Sequence, residues 1–206
     1  MKIIFKQKKM SFIKEWIYRL RHNRGFGVQS PAAFHFVMHV LRECKHPYYC
    51  YTKLNKESCK AGGFSAAHTR RLFRISNYVS PGSIITFADE KGCAQVALSA
   101  GCTRAVLHSV NNVEELHNAL LDIERIGLLH IGNTPHYAQV LTMAMPHIDK
   151  NSVIIVEGVH TRKDIAEWWR ETIALPNVIV SMDLYSAGIL FFDTEYKKQH
   201  YTFWFR

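Results

Sequence analysis

Residues 83–100 read SIITFADEKGCAQVALSA, and this stretch decides the fold class. It begins with an apolar, β-rich run that ends near Ala88, passes through a polar turn with one glycine, Gly92, and continues with helical spacing. A strand, a glycine turn and a helix in this order are the first half of a β–α–β unit. The stretch therefore predicts an α/β domain whose turn lies where nucleotide-binding folds place a cofactor loop.

Downstream of this unit, short apolar runs alternate with helix-like runs. Such alternation predicts a mainly parallel sheet that is covered by helices on both faces. The predicted strands are 83–88, 104–108, 127–131, 152–157 and 177–182. The predicted intervening helices are 93–100, 113–124, 136–146 and 161–173. The final segments AGILFF and HYTFWFR have no long helix between them, so they are predicted to form an antiparallel C-terminal hairpin at the sheet edge.

Upstream, residues 1–64 are predicted to be a basic helical N-terminal extension, and residues 65–206 the α/β domain. Helices are predicted at 11–21, where apolar residues recur on one side, and at 31–43. The first 74 residues hold 16 Lys and Arg but three Glu, and the whole chain carries a net charge of +9. This excess is explained either by a solvated basic face or by a nucleic-acid or anionic-membrane partner.

The composition excludes several classes of protein. Apolar residues make up 48% of the 206 residues, which is enough for one buried core. No apolar run approaches the roughly 20 residues that span a bilayer, and the N-terminus lacks the apolar core of a signal peptide, so a cytoplasmic location is predicted. The five cysteines are irregularly spaced and are predicted to be reduced thiols; no metal site is predicted.

Five segments resemble, in order, landmarks of a bacterial group of predicted small-molecule O-methyltransferases. They read RGFGVQSPAAFHFV, YYCYTKLN, RRLFRISNYVSPGSI, NSVIIVEGVHTRKDIAEWWRETI and DLYSAGILFF. The group belongs to the class I S-adenosylmethionine-dependent methyltransferases. The resemblance implies a Rossmann-like methyltransferase fold, S-adenosylmethionine as cofactor and a small-molecule acceptor. Gln29 departs from the histidine that is usual in the first landmark.

The cofactor positions of this family can be placed on the chain one at a time. The family's first strand ends in an acid followed by a Gly-x-x-x-Gly turn; here Thr86 stands at the acid position, Ala88 at the first glycine and Gly92 at the second. The second strand ends in an acid that binds both ribose hydroxyls, and here Ser109 takes that place. The resemblance thus implies cofactor-binding positions at Ala88, Gly92 and Ser109, with both acids lost.

The third landmark and the strand after it carry the remaining candidates. In LLHIGNT, Gly132 and Asn133 match the family's Asp-Gly-x-His pattern as cofactor-binding positions, while Ile131 replaces its acid. In SVIIVEGVH, Glu157 and His160 are the candidate catalytic residues, each able to act as a base towards an acceptor hydroxyl. One carboxylate and one histidine do not build a Mg²⁺ site, so no metal is expected.

Only NNVEELHNALLDIER separates the ribose strand from the third landmark, which leaves room for one helix. One strand–helix unit is therefore predicted to be missing on the adenine side. Together these departures predict a methyltransferase-like protein with a degenerate cofactor site and weak or no catalysis. Two alternatives stay open: an active methyltransferase on a small-molecule acceptor, and binding of nucleic acid or an anionic surface by the basic N-terminal region. A homodimer through the exposed edge strand and the apolar helix at 11–21 is also predicted.

Overall fold

The computed structural model of the chain describes residues 28–42, 48–54, 56 and 63–205. These residues form one seven-stranded sheet with helices on both faces. The strands are β1 (Ser83–Phe87), β2 (Val106–Val110), β3 (Leu128–Ile131), β4 (Val153–Glu157), β5 (Val180–Asp183), β6 (Ala187–Phe191) and β7 (Gln199–Thr202). The helices are α1 (Pro31–Phe36), α2 (Ala66–Val79), α3 (Cys93–Gly101), α4 (Val113–Leu121), α5 (Tyr137–Ala144) and α6 (Lys163–Ala174). A π-helical turn, Val37–Leu41, extends α1, and a 3₁₀ turn, Met145–His147, follows α5.

The strand order is β2-β1-β3-β4-β6-β5-β7, and the first four strands are parallel. This confirms the predicted mainly parallel sheet, and every predicted strand from residue 83 to residue 182 is present within three residues of its expected start. The near-continuous burial of β1, β3 and β4 is the property of parallel strands that are covered on both faces.

The antiparallel C-terminal hairpin is present, but its partners differ from the expected ones. AGILFF forms β6, which pairs antiparallel with β5 on one side and β4 on the other, whereas the last strand, β7, pairs parallel with β5. Burial explains the difference. Because β6 is buried along nearly its whole length it suits the sheet interior, while the partly exposed β7 suits an edge.

At the opposite edge, no strand lies beyond β2 in the described part of the chain. The connection from β2 to β3 contains α4 alone, in agreement with the predicted loss of one strand–helix unit. As a consequence, β2 is half exposed, and 60% of the surface of Val106 is open to solvent. The wall that a further strand would form beside β2 is absent from the described residues.

Two apolar layers hold the helices on the sheet. One layer packs α1, α2 and α3 on one face, and the other packs α4, α5 and α6 on the opposite face. Ser65 caps α2, with its Oγ accepting a hydrogen bond from the backbone amide of His68. The helix predicted at 31–43 begins at Pro31 but ends as a π-helical turn at Leu41.

The helix predicted at 11–21 lies outside the described residues, and the domain boundary after residue 64 stays a prediction. None of the helices described is both long enough and apolar enough to cross a membrane.

Candidate functional site at the carboxyl ends of the strands

The turn after β1 is stabilised by the side chain of one of its own residues, Asp89. Ala88 and Gly92 both have left-handed backbones, with φ of 55° and 64°, and Gly92 is the N-cap of α3. The carboxylate of Asp89 accepts a hydrogen bond from the Gln95 amide at 2.8 Å, inside the first turn of the helix. The amino end of α3 is therefore occupied in part by an internal carboxylate.

A neighbouring chain segment also covers this end of α3. A Cβ atom added to Gly63 would collide with the Sγ atom of Cys93, the first residue of the helix. The backbone at residue 63 thus lies directly against the turn.

Gly132 and Asn133 follow β3 and contact neighbouring loops. The Gly132 amide donates a hydrogen bond to the Phe87 carbonyl at 2.8 Å, and a Cβ at Gly132 would collide with the Ala88 carbonyl oxygen. The glycine is needed for the close approach of two backbones within the protein. The Asn133 Oδ1 accepts a hydrogen bond from the Tyr137 hydroxyl at 3.3 Å. Both predicted cofactor positions are therefore engaged in internal contacts.

The three positions where the family has acids are in different surroundings. Thr86 is fully buried, and its hydroxyl has no hydrogen-bond partner among the described residues. Ile131 is also fully buried and belongs to the core layer under α4, α5 and α6. Ser109 is exposed on the edge strand β2. Two positions are thus part of the core, and the third is open to solvent.

Glu157, at the end of β4, is the centre of a buried polar cluster. Its Oε1 accepts hydrogen bonds from His68 Nε2 at 2.8 Å and from His130 Nε2 at 3.2 Å. Burial alone raises the pKa of the Glu157 carboxyl, but the charge of His68 and the hydrogen bonds from both histidines outweigh burial and lower the pKa to about 2. We call these three residues the histidine–glutamate cluster; it joins α2, β3 and β4.

Apolar and cationic side chains close the cluster from the α2 side. The Phe64 ring lies 4.6 Å from the His68 ring and 6.1 Å from the His130 ring, centroid to centroid. Arg71 Nη1 is 3.5 Å from His68 Nδ1. Burial and the charge of Arg74 lower the pKa of Arg71 to about 10, although Glu157 opposes them. Glu157 is thus an ionised, enclosed carboxylate that is already bonded to two donors.

His160 belongs to a second group. Its Nε2 is 2.6 Å from the Oδ2 of Asp183, a buried carboxylate at the end of β5. The other oxygen of Asp183 accepts the Tyr185 amide at 2.8 Å, and the Tyr185 ring stacks on the imidazole at a centroid distance of 5.4 Å. One quarter of the His160 side chain is exposed. The two predicted catalytic residues therefore lie in separate hydrogen-bonded groups.

Sequence reasoning missed His68, His130 and Asp183. A signal for His130 was available, because a histidine in the otherwise apolar strand LLHI must find a polar partner when it is buried. No comparable signal identified His68, which is 89 residues away from Glu157 in sequence.

A pocket of about 280 Å³ opens at this end of the sheet between the loops after β3 and β4. Asn133, Tyr137 and Arg162 are among the residues that line it, whereas Ala88 and Gly92 are not. In the described part of the chain, no group of three His, Cys, Asp or Glu side chains is arranged to hold a metal ion. The expectation that the protein uses no metal stays a prediction.

Solved structures with a similar fold are methyltransferases. The O-methyltransferase TomG from Streptomyces achromogenes, solved with S-adenosylmethionine, is 13% identical, with a TM-score of 0.55 over 72% of this chain and 91% of that chain. A methyltransferase from Podospora anserina, solved with S-adenosylhomocysteine, is 9% identical, with a TM-score of 0.58 over 80% and 96%. An O-methyltransferase from Bacillus cereus, also solved with S-adenosylhomocysteine, is 11% identical, with a TM-score of 0.54 over 74% and 94%.

No protein-family profile matches the sequence, and no curated relative matches it. The fold is nonetheless similar to that of these methyltransferases, as the sequence landmarks predicted. At these identities the likeness establishes the fold, and activity has to be argued from the site.

Proposed function

We propose that this protein is a methyltransferase-like protein with a degenerate S-adenosylmethionine site and weak or no catalysis. The observation that carries the proposal is the location of the three residues that match the family's acid positions. Thr86 and Ile131 are buried in the core, and Ser109 lies on an open edge strand. At none of these positions does a carboxylate face the space above the sheet.

The size of the expected loss follows from hydrogen-bond energies. A hydrogen bond to a charged group contributes about 1.5–3 kcal/mol, so losing a carboxylate that binds both ribose hydroxyls removes roughly 3–6 kcal/mol. Each 1.4 kcal/mol is about a tenfold change in affinity, which moves a micromolar ligand into the millimolar range. The missing wall beside β2 reduces the available contact area further.

In this proposal Glu157 has a structural role. A carboxylate with a pKa of about 2 that already accepts two hydrogen bonds is a weak base at neutral pH. The cluster fixes α2 to β3 and β4, so the catalytic role expected for Glu157 from sequence is not part of the proposed function.

One observation favours an active enzyme as the second candidate. The hydrogen bond from His160 to the buried Asp183 is the arrangement by which a carboxylate orients a general base. In this candidate S-adenosylmethionine supplies the methyl group when bound, and His160 takes the proton from a hydroxyl of a small-molecule acceptor. Asp183 then stabilises the imidazolium by its negative charge.

Titration calorimetry of the full chain with S-adenosylmethionine and S-adenosylhomocysteine tests the proposal. We expect no saturable heat at ligand concentrations up to about 1 mM, which corresponds to a binding free energy weaker than about 4 kcal/mol. Ser109→Asp restores one ribose acid at an exposed position, and Ser109→Asn is its uncharged control. We expect neither variant to gain binding, because the adjoining wall is absent as well.

A dissociation constant below about 100 µM for the unaltered chain would overturn the proposal. If methyl transfer to a panel of small hydroxylated acceptors is then detected and is lost in His160→Gln, the second candidate is correct. The hypothesis of nucleic-acid or anionic-surface binding depends on basic residues of the N-terminal region, most of which lie outside the described residues, and it stays a prediction.

A further inference from the structure

A second cavity lies far from the carboxyl ends of the strands. It has a volume of about 140 Å³ and is situated at the opposite, amino end of the parallel sheet. Its floor is a row of three residues paired across neighbouring strands: Val153 begins β4, Val180 begins β5, and Phe191 of β6 is paired with both. The cavity is thus separated from the candidate site by the length of the strands.

The helix α1 forms the roof of this cavity. Ala33 and Phe36 project from α1 towards the sheet, and the small side chain of Ala33 leaves room beside the larger ring. Phe36 makes an edge contact with Phe191 at 5.2 Å and another with Tyr78 at 5.3 Å, centroid to centroid. The walls are therefore mainly apolar and aromatic.

Partly exposed side chains surround the mouth. Tyr78 and Tyr196 are both nearly half exposed, so their hydroxyl groups are close to solvent while their rings line the cavity. Lys150 and Glu195 form an ion pair of 3.1 Å beside them, and both are more than half exposed. The carboxylate of Asp193 also lines the cavity and accepts a hydrogen bond from the Glu195 backbone amide at 3.0 Å. The fixed charges at the mouth thus include one negative charge in excess.

We propose that this cavity binds a molecule with one aromatic ring and one small polar substituent that carries no negative charge. The volume matches a single ring, since an engineered apolar cavity of roughly 150 Å³ holds benzene. Aromatic walls bind a ring by edge and offset contacts. A hydroxyl-sized substituent reaches water and the tyrosine hydroxyls at the mouth. A carboxylate substituent would lose hydration and lie near the Asp193 carboxylate, while Lys150 is already paired with Glu195.

The test uses the full chain with phenol as the probe and follows methyl resonances by NMR. We expect the methyl groups of Met182, Val153 and Val180 to shift with a dissociation constant on the order of 1 mM, a realistic affinity for so small a ligand. The methyl groups of Val140 and Leu141, in the layer on the other face of the sheet, serve as internal controls and are expected to stay unchanged.

Benzoate, which carries the same ring with a negative charge, is expected to bind at least about tenfold more weakly than phenol. Equal or tighter binding of benzoate overturns the exclusion of a negatively charged ligand. Absence of shifts at all three lining methyl groups with about 10 mM phenol overturns the site itself.

Two cavity-filling variants make the result specific to this cavity. Ala32→Leu and Ala33→Leu each add a side chain to a residue that lines the space, and either is expected to weaken phenol binding at least about tenfold. Ala32 is the less buried of the two, which keeps a folded variant available if Ala33→Leu is unstable. Phe34→Leu, on the same helix but not lining the cavity, is the matched control. Unchanged binding in a folded Ala32→Leu variant contradicts the proposal.

Discussion

At the scale of single residues, the buried carboxylate of Glu157 has the largest expected effect on stability. Glu157→Gln keeps the shape of the side chain but removes the charge that both histidines bond. Removing one charged partner from a buried ionic group lowers the free energy of unfolding by about 3 kcal/mol or more. The matched control is Glu195→Gln, in the exposed pair with Lys150, where a cost below about 1 kcal/mol is expected. Urea unfolding of both variants measures the difference, and equal losses would contradict the role of the cluster.

The same residue predicts a pH dependence of definite sign. The folded-state pKa of Glu157 is about 2, below its ordinary value of 4.5, so the unfolded chain takes up the proton first as the pH falls. The stabilisation is therefore complete above about pH 4.5 and declines as the pH falls towards 2. The difference in unfolding free energy between the unaltered chain and Glu157→Gln is expected to shrink between about pH 5 and pH 2. A difference that is constant over this range argues against an ionised Glu157 in the folded state.

Thr86, which the resemblance matches to the family's first acid, is fully buried in the core. Its buried hydroxyl lacks a partner among the described residues, so Thr86→Val removes an unsatisfied group and is expected to raise the unfolding free energy by about 1 kcal/mol. Thr69→Val is the matched control, because Thr69 is equally buried and its hydroxyl donates to the Ser65 carbonyl at 3.2 Å. That variant is expected to lose about 1 kcal/mol. Thermal or urea denaturation compares them, and a larger loss for Thr86→Val would show that its hydroxyl has a function.

At the scale of elements, two glycines in the loops at the carboxyl ends of the strands are required for different physical reasons. At Gly92 a Cβ would meet open space, so Gly92→Ala is expected to cost about 1 kcal/mol through its left-handed backbone alone. At Gly132 a Cβ would collide with the Ala88 carbonyl, and Gly132→Ala is expected to cost about 2 kcal/mol or more. The urea concentrations at the midpoints of unfolding rank the two variants by stability. If Gly92→Ala were the more damaging, the turn would be under a constraint other than backbone strain.

The elements also show what sequence patterns can predict. Strands β1, β3 and β4 were found because a buried parallel strand is a short apolar run bounded by polar turns, and that signal is local. The partner of β6 was missed because pairing depends on which strand is buried on both faces, a property of the assembled sheet. The histidine–glutamate cluster was missed for the same reason, since α2 supplies His68 only after it packs on the sheet. The match of Thr86, Ser109 and Ile131 to the family's acids stays a prediction, and sequence could not show that Thr86 and Ile131 are fully buried whereas Ser109 is exposed.

At the scale of the whole molecule, the two ends of the sheet have different chemistry. The carboxyl end carries the buried polar groups around Glu157 and Asp183, as expected where the loops of an α/β fold converge. The amino end carries the aromatic cavity beneath α1. Buried, mainly apolar strands separate the two ends of the sheet. Ligands at the two ends are therefore expected to bind independently. Binding measurements at one end therefore leave the proposal for the other end untouched.

The exposed edge of β2 gives the last prediction, which concerns self-association. An edge strand presents unpaired amide and carbonyl groups, and the apolar Val106 and Leu121 are 60% and 73% exposed near this edge. We expect two copies to associate through β2, and a lysine there to oppose pairing by its charge and hydration. Val106→Lys is therefore expected to weaken self-association by about tenfold or more, as measured by analytical ultracentrifugation at several protein concentrations. Leu175→Lys, at the end of α6 and away from this edge, is the control that should leave association unchanged. A chain that sediments as a monomer at all concentrations, or an equal effect of both lysines, would show that the open edge is not the contact.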